Sequence, residues 1–362
     1  MELPPVKLDF LKLLTDDTGI LQHAKFATPR RHEGYTTDDN SRALIASVKY
    51  QRLYNNSVAR KLVDIYLSFL LYMQTQDGRF HNFLNYNRQF TDDFGSEDSM
   101  GRALWACGCV IDSNLPKQEK LAAKEIFDRG LMWIARFGSL RSKAFTILGL
   151  THYRKAYGQD QNIITNIESL ARQLLQAYER EFSLDWLWFE PCVTYVNGRL
   201  PQALFEAFRA TSNTDYLRVA EKSFDFIMKL QMVDDKFAPI GNKGWCKRNG
   251  ERALFDQQSV EASCMVEAAL AASRGTGDDE CRKTAYSIFD WFLGKNCKGL
   301  LVYNPKNGGC HDGITSHGLN LNQGAEATAC YIMARLELEI DRRSSRALIA
   351  SKNNRVKWTI KD

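Results

Sequence analysis

The sequence predicts an all-α fold, a closed ring of six helical hairpins whose inner helices begin at one shared mouth. Three observations predict it: a recurring helix-start signature, a spacing near 60 residues between most copies, and helix-length apolar segments separated by polar loops. The signature is clearest at Tyr35–Leu44, where polar and acidic residues run into an apolar helix start with Asp39, Asn40 or Ser41 available as N-cap. It returns at Ser96–Leu104 and, more weakly, at Arg141–Phe145, Asn197–Leu204, Asp256–Ala262 and Asn322–Ala327. Anchored on the residue before the recurring alanine, the copies sit at 42, 102, 143, 202, 261 and 326, with gaps by subtraction of 60, 41, 59, 59 and 65. Such a period exceeds the roughly 20–50 residues of most solenoid repeats and suits two helices plus a loop. Six such units use the whole chain.

In order, Val6–Thr15 reads as a short outer helix and Thr15–Gly19 as a turn, followed by a loop over 20–34 dense in His and Arg. The first inner helix spans Asp39–Tyr54. Its outer partner, Val58–Met73, has apolar residues at 58, 62, 65, 66, 69 and 73, the spacing of one helical stripe. The turns Gln74–Phe80 and Gln231–Phe237 each close an outer helix. The second hairpin is a helix from Asp98 to before Asp112, with Gln118–Phe137; the third is Ser142–Tyr157 with Ile163–Arg180. An aromatic loop, Asp185–Pro191, leads to Pro201–Thr211, where Pro in the first turn is tolerated because its missing N–H had no partner. The outer helix Asp215–Leu230 and the loop Phe237–Phe255 precede Ala-rich Gln257–Ser273. Asp279–Leu293, a long loop over Lys295–Asn322, and Gly324–Ile340 complete the ring. No composition break divides 1–340, which reads as one domain.

The totals bound the function. Apolar content of 44% supplies a core, and no apolar run reaches the roughly 20 residues of a membrane span. Nine scattered cysteines and an N-terminus without a secretory pattern point to reduced thiols in a cytoplasm. The net charge of +5 resides in 341–362, where seven Lys or Arg outnumber two Asp, so the body is neutral and a nucleic-acid partner is not indicated. That basic tail reads as a poorly ordered terminus.

At a shared mouth the helix starts would gather acids: Asp38, Asp39, Glu97, Asp98, Glu190, Asp256, Glu261 and Glu326. Any one carboxylate is explained by capping and the positive helix end, worth about 0.3–1 kcal/mol. The set, with aromatics and His in the same loops, points to a sugar pocket. Glycosidic chemistry needs an acid on the leaving oxygen and a second carboxylate for water or carbon. Asp38, Asp39, Glu97 and Asp98 are the first candidates, with Glu190 and Asp256 behind them. Tyr35, Trp186, Trp188, Phe189 and Trp245 offer stacking faces, and Arg31, Asn40, Gln257, Asn322 and Gln323 offer hydroxyl partners. His32, His311 and His317 are the alternative acid and base groups. No C-x-x-C, H-E-x-x-H, phosphate-loop or dinucleotide pattern is present, so no metal or cofactor is expected.

Six hairpins with acidic starts resemble the six-hairpin (α/α)6 toroids of the glycosidase type. The blocks Leu14–Ala24 and Gly34–Leu44 resemble a bacterial toroid domain that occurs alone or joined behind glycosyltransferase modules, a likeness spanning 6–340. It implies a sugar or oligosaccharide substrate and a possible glycosyltransferase partner, without naming a reaction. Thr37-Asp38-Asp39-Asn40 matches only partly the aspartate-rich motif of terpenoid cyclases, which share the toroid. The sugar 2-epimerases of the same fold use His. The expectation is therefore a glycoside hydrolase-like enzyme. The alternatives are a non-catalytic glycan-binding or scaffolding partner and a His-dependent epimerase.

Overall fold

The computed structural model describes residues 3–158 and 160–358, with side chains as far as residue 346. Among these the helices are α1 (Asp9–Leu13), α2 (Thr37–Tyr54), α3 (Ser57–Met73), α4 (Glu97–Ile111), α5 (Lys117–Leu131) and α6 (Leu140–Tyr157). They continue with α7 (Gln161–Glu181), α8 (Arg199–Thr211), α9 (Thr214–Leu230), α10 (Ser259–Thr276), α11 (Asp279–Phe289) and α12 (Ala325–Trp358). The even-numbered helices touch in the order α2, α4, α6, α8, α10, α12 and back to α2. Each also lies against an outer helix: α3, α5, α7, α9 and α11 follow their inner partners, and α1 serves α12. The chain is an all-α (α/α)6 toroid, closed by its two ends.

The two rings differ for a physical reason. An outer helix has one covered side, and α7 accordingly buries a single stripe: Ile163, Ile167, Leu170, Ala171, Leu174, Ala177 and Tyr178. An inner helix is covered all round. Every residue of α4 from Ser99 to Ile111, and of α10 from Ser259 to Ser273, is buried. Small residues let these helices approach. A Cβ on Gly108 would stand 2.5 Å from the Gly149 carbonyl oxygen, and one on Gly149 would stand 2.7 Å from that of Leu104. So α4 and α6 pack backbone against backbone.

Four inner helices, α2, α4, α6 and α8, begin one or two residues earlier than their sequence suggested, while α10 begins two residues later and α12 one. Thr36, not Asp39, Asn40 or Ser41, caps α2, its hydroxyl accepting from the Asp39 N–H at 3.1 Å. Ser96 and Ser139 do the same for α4 and α6. Each such cap is worth about 0.5–2 kcal/mol. Asp38 and Asp39 consequently occupy the first turn, where the unpaired N–H groups favour negative charge. The turn at Gln74 is structural: its amide donates to the Ile126 carbonyl at 2.9 Å, fastening the first hairpin to α5.

Short strands dress the helix-start end. Tyr35–Thr36 pairs with Phe83–Leu84, and Gln257–Gln258, Gly313–Thr315 and Gly318–Asn320 form a three-stranded sheet. At the other terminus α12 continues past position 340, where the sequence suggested its end, and residues 359–362 of the basic tail lie outside the described residues.

Replacing Gly149 by Val should force α4 and α6 apart. The expected loss is about 1–3 kcal/mol, read as a lower urea midpoint at unchanged slope.

Candidate functional site

Polar side chains tie each inner helix start to the next. Arg42 of α2 donates to Asp39 at 3.0 Å and pairs with Glu326 of α12 at 2.7 Å. Asp38 pairs with Arg102 of α4 at 2.9 Å. Asp98 of α4 accepts from the Ser139 hydroxyl, ahead of α6, at 2.6 Å. Arg141 of α6 donates to the Tyr195 carbonyl and the Thr194 hydroxyl, ahead of α8, both at 2.7 Å. Glu261 of α10 accepts from the Val196 N–H and from the Asn197 side-chain amide, the latter at 3.0 Å. Ser259 of α10 donates to the His311 carbonyl, ahead of α12, at 2.8 Å. One link per neighbouring pair sets all six starts around a single mouth.

Within that mouth lies a cavity of about 420 Å³, walled by α2, α10, α12 and the three-stranded sheet. Five acids line it: Asp38, Asp39, Asp256, Asp312 and Glu326. Burial pushes the Asp39 carboxyl up to about 6; Arg42 opposes the shift, and Glu326 and Asp38 add to it. Asp312 is likewise pushed up to about 6 by burial, with the Gly324 N–H and His23 opposing and Glu326 and Asp39 reinforcing. Burial works against the Arg42 cation, yet Glu326, Asp38 and Asp39 outweigh it and hold its pKa above the ordinary value. The Oδ1 atoms of Asp38 and Asp256 are both buried with no hydrogen-bond partner among the described residues, but that of Asp38 has the Arg102 guanidinium 2.9 Å away, whereas in Asp256 it is Oδ2 that lies 3.4 Å from Lys243.

Of the residues singled out from sequence, Asp38, Asp39, Asp256, Gln257 and Glu326 therefore meet in one cavity. Gln257 is spent there on structure. Its amide donates to the Leu254 carbonyl, and its carbonyl accepts from the Trp291 indole at 2.9 Å. Asp98 is not among the residues that line the cavity; it accepts from the Tyr195 hydroxyl at 2.6 Å. Glu97 faces the α5–α6 junction and accepts from the backbone N–H groups of Gly138 and Ser139 at 2.8 and 2.7 Å. Glu190 is paired with Arg141 at 2.8 Å. Arg31 and His32 stand outside the cavity, in a neighbouring basin.

Several expected sugar contacts are pieces of the frame. Tyr35 is buried and donates to Asp16 at 2.7 Å. Asn40 is buried, accepting from the Ile20 N–H and donating to the Thr36 carbonyl. Gln323 is buried and accepts from Asn307 at 3.0 Å, and Asn322 accepts from the Phe26 N–H at 2.9 Å. Trp186, Trp188 and Phe189 are core residues, the two indoles packing on Phe226, because the segment after α7 folds inward rather than presenting its rings. Trp245 is half-buried with its ring centroid 6.5 Å from that of Tyr195. His311 is half-buried, its Nδ1 unpartnered among the described residues and its pKa lowered by burial. His317 is exposed at the tip of the hairpin Gly313–Asn320.

The sequence reading passed over Arg42, Arg102 and Asp312. The first two stand at the anchoring position of the repeat, where a charged residue in an otherwise buried helix start was a usable signal. Asp312 was signalled only by its place beside His311. Among the described residues no group of three or more His, Cys, Asp or Glu is arranged to hold a metal ion.

No protein-family model and no curated protein sequence matches the chain. Solved structures do. A cellobiose 2-epimerase from Bacillus thermoamylovorans aligns with a TM-score of 0.73 at 13% identity, covering 93% of this chain and 96% of that one. A D-mannose isomerase aligns with a TM-score of 0.67 at 11% identity over 90% and 95%. An inactive variant of an α-1,6-mannanase from Salegentibacter, with two consecutive aspartates replaced by asparagine and α-1,6-mannotriose bound, aligns with a TM-score of 0.61 at 10% identity over 92% and 96%. At such identities the likeness is one of fold, and it extends over nearly the whole of each chain.

Proposed function

We propose that the protein is a carbohydrate-active enzyme that hydrolyses a glycosidic bond in the mouth cavity, with Asp312 as general acid and Asp256 as general base. The observation that carries this reading is the pairing of two unlike carboxyls in one cavity. A general acid must hold its proton at the pH where it works and have an oxygen free to deliver it. Asp312 has a pKa pushed up to about 6, and only its Oδ1 is engaged, by the Gly324 N–H at 2.7 Å. Asp39 has a similar pKa, but both its oxygens are committed, to Arg42 and to the Thr36 hydroxyl. Asp256 brings an oxygen with nothing to accept from.

The strand pairing brings the segments that carry the two carboxyls together. Gly313 pairs with Gln258 and Ile314 with Gln257, so Asp312 stands opposite Ser259 and Asp256 lies three residues along the sheet. That is about 10 Å of strand. In an inverting glycosidase two carboxyls about 6.5–9.5 Å apart leave room between them for the attacking water. Asp312 would protonate the leaving oxygen while Asp256 takes a proton from the water that attacks the anomeric carbon. The names of the fold neighbours, two of them sugar isomerising enzymes and one a mannanase, support a saccharide as substrate.

A second reading puts the chemistry on Asp38 and Asp39, because the inactive mannanase variant carries asparagine in place of two consecutive aspartates. An epimerase reading finds less support. His23 is the one imidazole among the described residues lining the cavity, and His32, His311 and His317 are not gathered there.

Asp312→Asn and Asp256→Asn should each lower kcat at least about 100-fold on a hydrolysable oligosaccharide, with Kd nearly unchanged in calorimetry. Loss of turnover in Asp39→Asn but not in these two would move the chemistry to α2. Exchange of a sugar C–H proton with deuterated water would make the protein an epimerase, and tight binding without product would make it a glycan-binding partner.

The pH dependence is set by sign. Asp312 is raised from 3.8 to about 6 in the fold, so its contribution to stability is present below pH 3.8 and lost as pH rises through 6. The Tm advantage of Asp312→Asn over the natural protein should therefore grow between these values and then level. Turnover by the natural protein should fall as pH rises above about 6, as Asp312 loses its proton.

A further inference from the structure

Beside the acidic cavity the surface turns basic. A basin of about 1200 Å³ is lined by Lys25, Arg30, Arg31 and His32, with Phe26 and Tyr86 showing 55% and 44% of their surface, and none of its lining residues is acidic. Three segments serve both spaces. His23, Phe83 and Asn320 line the cavity, while Lys25, Asn85 and Asn322 on the same segments line the basin. The basin and the cavity therefore adjoin. The partition is also fixed in place: Asn322 accepts from the Phe26 N–H at 2.9 Å, and the Gln323 N–H donates to the Phe26 carbonyl at 2.9 Å.

This basic surface is local, since the chain outside 341–362 carries no net charge. Glu33 pairs with Arg30 at 2.8 Å and approaches His32 at 3.3 Å, which leaves those two partly neutralised. Lys25 and Arg31 make no ion pair or side-chain hydrogen bond among the described residues. Two such cations flanked by amides and exposed rings suit an oxyanion attached to a sugar. The five acids of the cavity would repel the same group, so the two charge zones impose one orientation.

We propose that the substrate is a saccharide bearing a phosphoryl group, its sugar in the acidic cavity and its phosphate held in the basin by Lys25 and Arg31. The proposal rests on the glycosidic reading and adds the charge of the substrate to it. A phosphoryl dianion matches two free cations better than the single charge of a uronate, and the test separates these.

The test is calorimetric titration of the full chain with cellobiose and α-1,6-mannotriose, each neutral, carrying a terminal phosphate, or ending in a uronic acid. The phosphorylated forms should bind about tenfold tighter than the neutral ones at low salt, with the uronates between. That advantage should shrink at high salt, a measurement that needs no variant. In the double variant Lys25→Gln, Arg31→Gln, shown folded by its thermal melt, the ratio of phosphorylated to neutral affinity should fall to near one. Equal affinity for neutral and phosphorylated sugars in the natural protein would overturn the proposal and leave the glycosidic reading standing. A phosphate preference that survives in the double variant would overturn the basin. Binding of none of the ligands would count against both readings.

Discussion

The constraint on which the architecture turns is a buried cation shared between the first and last inner helices. Arg42 in α2 bridges Asp39 in its own first turn and Glu326 in the first turn of α12. A guanidinium with so little access to water is tolerable only when its charge is matched, and losing one partner of such a group is far more harmful than never having built it. Closing the ring therefore requires acids at this end, and the helix starts accommodate them because their free N–H groups favour negative charge. The cavity's acidity is a consequence of closure as much as of chemistry. What marks out Asp256 and Asp312 is that they are the acids the closure does not consume.

The opposite end of the ring makes the contrast plain. A second space, also of about 420 Å³, lies where the inner helices finish, and its four acids each face a cation. Glu267 meets Arg199 at 2.8 Å, Glu337 meets Lys49 at 2.7 Å, Glu206 meets Arg209 at 2.8 Å and Asp112 meets His152 at 2.9 Å. Cations suit helix ends where carbonyls are left over, and the network holds the inner helices together there. Two cavities of similar size thus differ in kind. In one every acid is ion-paired, and in the other Asp39 and Asp312 have carboxyls pushed up to about 6 and Asp312 has no ion-pair partner among the described residues. That asymmetry is the reason for assigning chemistry to the mouth.

How much was legible follows from what each ring demands of its residues. Outer helices show their stripe in the sequence, as at Leu62, Tyr66, Phe69 and Met73 of α3, because one side faces water. Inner helices are covered all round, as α4 and α10 are, and were found from their starts instead. The starts themselves were offset by a few residues, since Thr36, Ser96 and Ser139 cap as well as the acids that follow them. Site residues were harder. Tyr35, Asn40, Trp186, Trp188 and Gln323 have the side chains a sugar site uses, but aromatic area and amide groups serve a packed frame equally well. Nothing local distinguishes the two uses.

The sequence by itself determined the number of hairpins, their order and the acidic character of the helix starts, because period, capping and helix–dipole preference act over a few neighbouring residues. Only the tertiary structure decided which acids remain free. Arg42 takes Asp39 and Glu326, Arg102 takes Asp38, and Arg141 takes Glu190. The sheet between Gln257–Gln258 and Gly313–Thr315 carries Asp312 to the mouth from a loop between α11 and α12. Pairing of charges across the ring is a long-range event, governed by burial and by which helix lies beside which, and a linear reading has no access to either.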